Sequence, residues 1–176
     1  NVNVNCPEGA DWQTEKRSVA LIVNGGYAYC TGSLVNNTAN DATPYFLTAN
    51  HCIGTPNTWV YYFNHESADC SGTSGPTDQS VSGGTLLVQN GGSDFALIEL
   101  SSTPPASYNV EYAGWDNSGN IPSAAVGIHH PSGDLKKICF EDDAPYHSST
   151  GGAEVWWIDS WDLGVTEPGS SGSPLF

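Results

Sequence analysis

The sequence predicts an all-β fold, and three observations carry that prediction. Short apolar runs recur about every ten residues with Gly, Asn, Ser and Pro between them, the spacing of strands and turns in barrels and sandwiches. No run keeps the apolar period of a helix over about a dozen residues. Only 13% of residues are charged, while Gly, Ser, Thr and Asn abound, a balance that suits a β-rich secreted protein more than a helical cytosolic one.

Residues 19–23 and 27–31 read as paired strands around a turn at Asn24-Gly25-Gly26, because Asn-Gly between apolar runs is a strong hairpin signal. Residues 32–35 continue extended, and 36–41 form a polar loop containing the glycosylation-type triplet Asn36-Asn37-Thr38. Residues 44–48 are the next strand and run into Ala49-Asn50-His51-Cys52. Residues 58–63 alternate aromatic and β-branched side chains, as strands do. A Gly/Ser/Thr-rich loop over 69–82 precedes a strand at 84–88. After Gly91-Gly92-Ser93 comes 94–100, an apolar central strand headed by one carboxylate, Asp94. Thr103-Pro104-Pro105 then interrupts pairing, since proline has no N–H to give a ladder, and sets a lobe boundary between 1–104 and 105–176. The second lobe repeats the style with short runs at 112–115, 124–128, 135–140 and 155–158. Trp156, Trp157 and Trp161 are expected in its core, by the burial preference of aromatic rings.

Nineteen acidic residues against four basic ones give a formal charge of −15, which disfavours nucleic acid and anionic membranes as partners and favours cationic peptides. No apolar run approaches membrane-spanning length, so a membrane is not expected as a partner. Asn1 opens the chain and methionine is absent, which implies removal of a precursor segment. The five cysteines include no C-x-x-C pair, arguing against a zinc ribbon or redox dithiol and for disulfides in an oxidising compartment. Glu141-Asp142-Asp143 is the one candidate calcium run. Such a site needs about six to eight placed oxygens, and the run reads better as solvated face, so neither a metal nor a cofactor is expected.

Chemistry centres on the turn Gly169-Ser170-Ser171-Gly172-Ser173-Pro174. Glycines flanking a serine let backbone approach a ligand closely, leaving bare N–H groups beside an exposed hydroxyl. Pro174 discourages a following helix, so this is not the strand–turn–helix elbow of other hydrolases. A serine hydroxyl near neutral pH needs an imidazole to take its proton and a carboxylate to fix that imidazole's tautomer. His51 and Asp94 each sit at the end of an apolar segment and fit those roles. His65, His129, His130 and His147 compete for the base; adjacent His129 and His130 point in different directions along an extended chain, and one of them is structural.

Leu47-Thr-Ala-Asn-His51-Cys52 resembles the Leu-Thr-Ala-Ala-His-Cys signature of chymotrypsin-like serine proteases. Asp94-Phe-Ala-Leu97 resembles their Asp-Ile-Ala-Leu segment, and Gly169-Ser-Ser171-Gly-Ser-Pro174 their Gly-Asp-Ser-Gly-Gly-Pro, in the same chain order. The segments 30–41, 127–131 and 164–174 narrow the resemblance to bacterial secreted lysyl endopeptidases. The resemblance implies two antiparallel β-barrels with a cleft between them and a secreted serine endopeptidase acting on polypeptide substrates. It implies Ser171 as nucleophile, His51 as base and then acid, Asp94 as its orienting carboxylate, and the N–H groups of Gly169 and Ser171 as oxyanion hole. It also pairs Cys30 with Cys52 and Cys6 with Cys70, leaving Cys139 unpaired.

Two departures stand out. Many animal members bury a new N-terminal ammonium against an Asp just before the serine; here that neighbour is Ser170, so this switch is not expected. Val165 stands where trypsin-like members place the carboxylate that receives Lys or Arg. By resemblance, a Lys preference would come from residues beyond Phe176, together with the closing strands of the second barrel. That barrel is therefore expected to be incomplete here, its partner being a missing C-terminal segment or a cleaved fragment. The rival readings are a noncatalytic binding protein of the same fold and a β-sandwich carbohydrate-binding module, the latter suggested by six Trp and eight Tyr.

Overall fold

The structure, a computed structural model, describes residues 1–176 in full. Its strands in chain order are β1 (Val2–Asn3), β2 (Val19–Asn24), β3 (Tyr27–Leu34), β4 (Tyr45–Ala49), β5 (Val60–Phe63), β6 (Ser80–Ser82), β7 (Gly84–Asn90), β8 (Phe95–Leu100), β9 (Ala125–His129), β10 (Lys137–Glu141), β11 (Tyr146–Thr150) and β12 (Ala153–Trp157). The only helical segments are short 3-10 turns, and none is long and apolar enough to cross a membrane.

Strands β6-β5-β2-β3-β4-β8-β7, in that order, make one antiparallel sheet that curls around a core of thirteen buried residues. Alternation sets its inner face: Tyr61 and Phe63 of β5 are buried, as are Ala96, Ile98 and Leu100 of β8. Phe46 packs edge-on against Tyr61, ring centroids 4.9 Å apart, with Trp59 fully buried beside them. The β2–β3 hairpin turns on Gly25 and Gly26, with φ of +58° and +86°, while Asn24 stays in the strand. Both central residues of such a two-residue turn need positive φ, and two glycines meet that demand better than Asn-Gly with an extra loop residue.

A second, three-stranded sheet has the order β1-β10-β9. The N-terminal strand therefore crosses to the sheet of the second half, with Val2 opposite Ile138. Its core is smaller, five residues: Val4, Val19, Val126, Ile128 and Ile138, with Phe140 and Phe176 packed against it. The far edge of β9 exchanges two backbone hydrogen bonds between Val126 and Phe176. Hairpin β11–β12 pairs with no other strand.

Two expectations need correction. Residues 112–115 form no strand; Ala113 alone bridges to Val35 at the end of β3. The tryptophans of β12 are not core: Trp157 is 41% exposed and Trp156 half-buried, because their hairpin packs on neither sheet, and Trp161 is half-buried too. Trp59, read only as part of an alternating strand, is the fully buried one.

Disulfides join Cys30 to Cys52 and Cys6 to Cys70. The first ties β3 to the turn after β4, and the second ties the N-terminal segment to the loop after β5. Cys139 is buried as a free thiol, its Sγ 3.5 Å from Gly127 O, and burial pushes its pKa up to about 12. Between the sheets Lys16 and Lys136 converge on Glu66, with Nζ to carboxylate distances of 2.5 and 3.4 Å. Burial works to raise the Glu66 carboxyl, and the Lys136 charge and the Lys16 bond overcome it, leaving it below its ordinary value. The same burial lowers Lys136 to about 8, against the opposing pull of Glu66.

Candidate active site

Strand β4 ends at Ala49, and the 3-10 turn Asn50–Cys52 lifts His51 out of the sheet while Cys52, fully buried, holds the turn down through its disulfide. Neighbouring β8 begins just after Asp94, and β4 and β8 are paired with Ala49 opposite Phe95, so His51 and Asp94 emerge side by side. His51 Nδ1 lies 2.7 Å from Asp94 Oδ2, and Asp94 Oδ1 accepts from the His51 backbone N–H at 2.8 Å. Asp94 O accepts a third bond, from Asn50 N–H. To reach this position Asp94 takes a left-handed φ of +52°, a conformation that Asp tolerates better than most residues. Both side chains are open to solvent, 57% and 47% exposed, so hydrogen bonds rather than burial orient this pair.

Ser171 comes from the far end of the chain, and the first sheet fixes where it sits. Thr31 of β3 donates its N–H to Ser171 O at 2.9 Å and its hydroxyl to Gly169 O at 2.8 Å, while Thr31 Oγ1 accepts from His130 N–H. The Ser171 carbonyl lies 3.9 Å from Cys52 Sγ, which puts the serine turn beside the residue following His51. Gly172 has φ +81°, and a Cβ there would fall 2.4 Å from Thr31 O and 2.7 Å from Ala49 N. Only glycine lets the turn press this closely on β3 and β4.

Neither the Gly169 N–H nor the Ser171 N–H donates to any group of the protein, and the Ser171 hydroxyl and His51 Nε2 are likewise without partners. The structure thus brings His51 and Asp94 into direct contact and sets Ser171 next to their turn without a serine–histidine hydrogen bond. Catalytic hydrogen bonds of this kind are commonly loose before substrate binds. A polar depression of about 400 Å³ opens beside the serine, lined by Thr166, Glu167, Pro168, Ser170 and Ser171. A larger groove of about 1000 Å³ lies elsewhere, between residues 111–125, β12 and Phe176, and contains none of the three.

The competing histidines go elsewhere. His65 Nδ1 bonds to Pro76 O, and its ring stacks on His130 at 6.1 Å. His147 packs edge-on against Trp156 at 4.2 Å. Both His129 and His130 are fully buried, so neither is free to meet substrate. His129 Nδ1 lies 2.8 Å from Ser170 Oγ, and His130 Nδ1 lies 2.9 Å from Asp134 O. Burial lowers His129 to about 4, with Glu167 pulling the other way; burial and then Lys136 hold His130 well below its ordinary value. Thr31 is the site residue that reading the sequence misses. Its signal was a polar residue in the buried half of β3, next to the disulfide.

The family model described as lysyl endopeptidase, C-terminal domain, matches residues 1–176. This chain belongs to that family. A lysyl endopeptidase of Pseudomonas aeruginosa is 34% identical over 161 residues, covering 86% of this chain and 34% of the relative, so the chain spans about a third of that protein's length. Among solved structures, HBP aligns with a TM-score of 0.65 at 15% identity over 92% of this chain and 75% of its own. A thermostable serine protease, AL20, from an extremophilic microorganism aligns with a TM-score of 0.62 at 12% identity, over 93% and 79%. At such identities the likeness is one of fold, and it places the curled antiparallel sheets of this family member in the chymotrypsin-like class.

Proposed function

We propose that this chain carries the catalytic machinery of a secreted serine endopeptidase, with Ser171 as nucleophile, His51 as general base and Asp94 as its orienting carboxylate. The observation that carries the reading is the doubly bonded His51–Asp94 pair at the mouth of the first sheet, with the serine turn docked on the neighbouring strand. With Nδ1–H given to Asp94, the His51 tautomer leaves Nε2 as the acceptor, facing no other group. On substrate binding Nε2 takes the Ser171 proton as Oγ attacks the scissile carbonyl. The charge that develops on the carbonyl oxygen is met by the free N–H groups of Gly169 and Ser171. His51 then protonates the leaving amine, and a water activated by the same nitrogen releases the acyl group.

The finer assignments belong to the same proposal. Two lobes, 1–104 and 105–176, enclose the cleft, with β1 and the Val4 and Val19 side chains of the first reaching across into the sheet and core of the second. A preference for Lys is supported by the name of the Pseudomonas relative and by a net charge of −15, which attracts cationic peptides. The two disulfides suit an oxidising, extracellular setting. The second sheet is narrow, and β9 still has unpaired backbone beyond Val126 and Gly127, so a further C-terminal segment or cleaved fragment pairing along it is the partner this reading expects.

A fluorophosphonate probe tests the chemistry on the full-length protein. The expected result is a single adduct on Ser171, lost in Ser171→Ala, and peptide turnover that falls about 10⁶-fold in Ser171→Ala or His51→Ala. Asp94→Asn, which favours the wrong tautomer, is expected to cost about 10³- to 10⁴-fold. An unlabelled Ser171 in folded protein, or near-normal turnover in His51→Ala, overturns the reading. Cleavage profiling of a peptide library tests the Lys preference separately.

A further inference from the structure

Ser170 occupies the position just before the nucleophile, and the structure gives it a specific task. It is buried, 7% exposed, and its hydroxyl meets two groups: it accepts from the Glu167 N–H at 3.1 Å and lies 2.8 Å from His129 Nδ1. In the neutral tautomer with its proton on Nε2, an atom buried without a partner, His129 accepts the Ser170 hydroxyl proton on Nδ1. His129 is fully buried at the end of β9, where its backbone pairs with Lys137 of β10. The Ser170 backbone closes the turn on either side, donating to Glu167 O at 2.9 Å and accepting from Ser173 N–H at 3.0 Å. The hydroxyl thus links the second sheet to the start of the turn that contains Gly169 and Ser171, and the Ser170 backbone carries the link to its end.

We propose that His129 is a positioning residue for the nucleophile turn, acting through Ser170 Oγ to hold Ser171 Oγ and the Gly169 and Ser171 N–H groups in their reactive arrangement. The inference rests on the reading of Ser171 as nucleophile. Thr31 grips the turn from the first sheet through the carbonyls of Gly169 and Ser171, while the N–H groups of Ser170 and Ser132 hold the carbonyls of Glu167 and Pro168. The His129–Ser170 bond adds the one side-chain hold from the second sheet, on the residue next to the nucleophile. It does so with neutral groups, which buried surroundings tolerate better than an unpaired charge. No bond to substrate is involved: His129 is enclosed and Ser170 nearly so, and their effect on chemistry passes through Ser171.

Three variants of the full-length protein test this. His129→Phe keeps the ring volume and removes the acceptor, Ser170→Ala removes one oxygen, and His129→Asn restores an acceptor close to the place of Nδ1. The expected result is that His129→Phe and Ser170→Ala each slow fluorophosphonate labelling of Ser171 and kcat by about 10- to 100-fold, the scale of a small misplacement of reacting groups, with KM little changed. The double variant should be no worse than either single one, since both break the same bond. His129→Asn should recover most of the rate, and ¹⁵N NMR of the wild-type imidazole should show the Nε2–H tautomer. Wild-type labelling rates in folded Ser170→Ala, or a His129→Asn variant as slow as His129→Phe, overturn the positioning role while leaving Ser171 as nucleophile intact. Absence of labelling in the wild type instead overturns the serine reading, and this inference falls with it.

Discussion

The two halves of the molecule hold their catalytic candidates by different physics. His51 and Asp94 stand on a seven-stranded sheet with a thirteen-residue core, and two adjacent paired strands deliver them side by side. Ser171 stands on a turn outside any strand, next to a three-stranded sheet with a five-residue core. Its position comes from polar contacts instead: Thr31 from the first sheet, its own carbonyl held by the Thr48 hydroxyl, and His129 from the second. A strand end fixes a side chain through the whole ladder behind it, whereas a turn needs each of its bonds. Substitutions should therefore separate the halves, with packing changes dominating in the first and loss of single polar atoms or links in the second.

The largest stability effect is expected in the first core. Phe46 is fully buried against Tyr61, and Phe46→Ala should cost about 3–5 kcal/mol, through lost transfer energy and the cavity left behind. Ile138→Ala, in the smaller second core, should cost about 2 kcal/mol, at the low end for such truncations, because neighbours with more open surroundings can collapse into the gap. Urea unfolding of both variants measures the difference. Equal costs would mean that the second sheet is packed as firmly as the first.

Breaking the Cys6–Cys70 link, by the double change to Ser, comes next at about 2–4 kcal/mol, from the loop entropy returned to the unfolded chain across a separation of 64 residues. The link joins the segment after β1 to a loop of the first half, so its loss should reach the second sheet first. Hydrogen exchange should speed up at the β1–β10 pairs before it does in β2 or β3. Uniform acceleration would show that the two sheets open together.

The contrast between the halves also decides what could be read from sequence. His51 and Asp94 were legible because apolar runs ending in a polar residue translate directly into strand ends. The Gly-Ser turn was legible because its glycines and proline restrict the backbone locally. What holds that turn was not legible. The bond from His129 to Ser170 spans 41 residues, and the one from Thr31 to Gly169 spans 138, so neither leaves a local period or motif. Adjacent His129 and His130 read as one structural residue and one open question; both turned out buried, on different partners. The Trp156-Trp157 pair misled for a related reason: an apolar run marks a strand, but not whether anything packs over it.

The smallest effect separates His129 by pH. His129 is buried neutral, lowered to about 4 from an ordinary 6.5, with burial as the main cause, Glu167 opposing it, and the N-terminal amine and Lys137 adding to it. Above pH 6.5 neither folded nor unfolded chain protonates this imidazole, and its full contribution to stability is present. As pH falls from 6.5 toward 4, the unfolded chain takes up a proton that the folded one refuses, so stability drops; below about 4 both are protonated and the loss is complete. Between pH 7 and 5 the change from His129 amounts to about 2 kcal/mol. His130, also held low by burial, adds to the same fall, so the wild-type slope alone does not isolate one residue. His129→Asn does, because it keeps a neutral acceptor for Ser170 and cannot titrate. Its urea midpoint should start lower at pH 7 and fall less steeply toward pH 5 than that of the wild type. Parallel curves would mean that His129 protonates within the fold and that the bond to Ser170 does not hold it neutral.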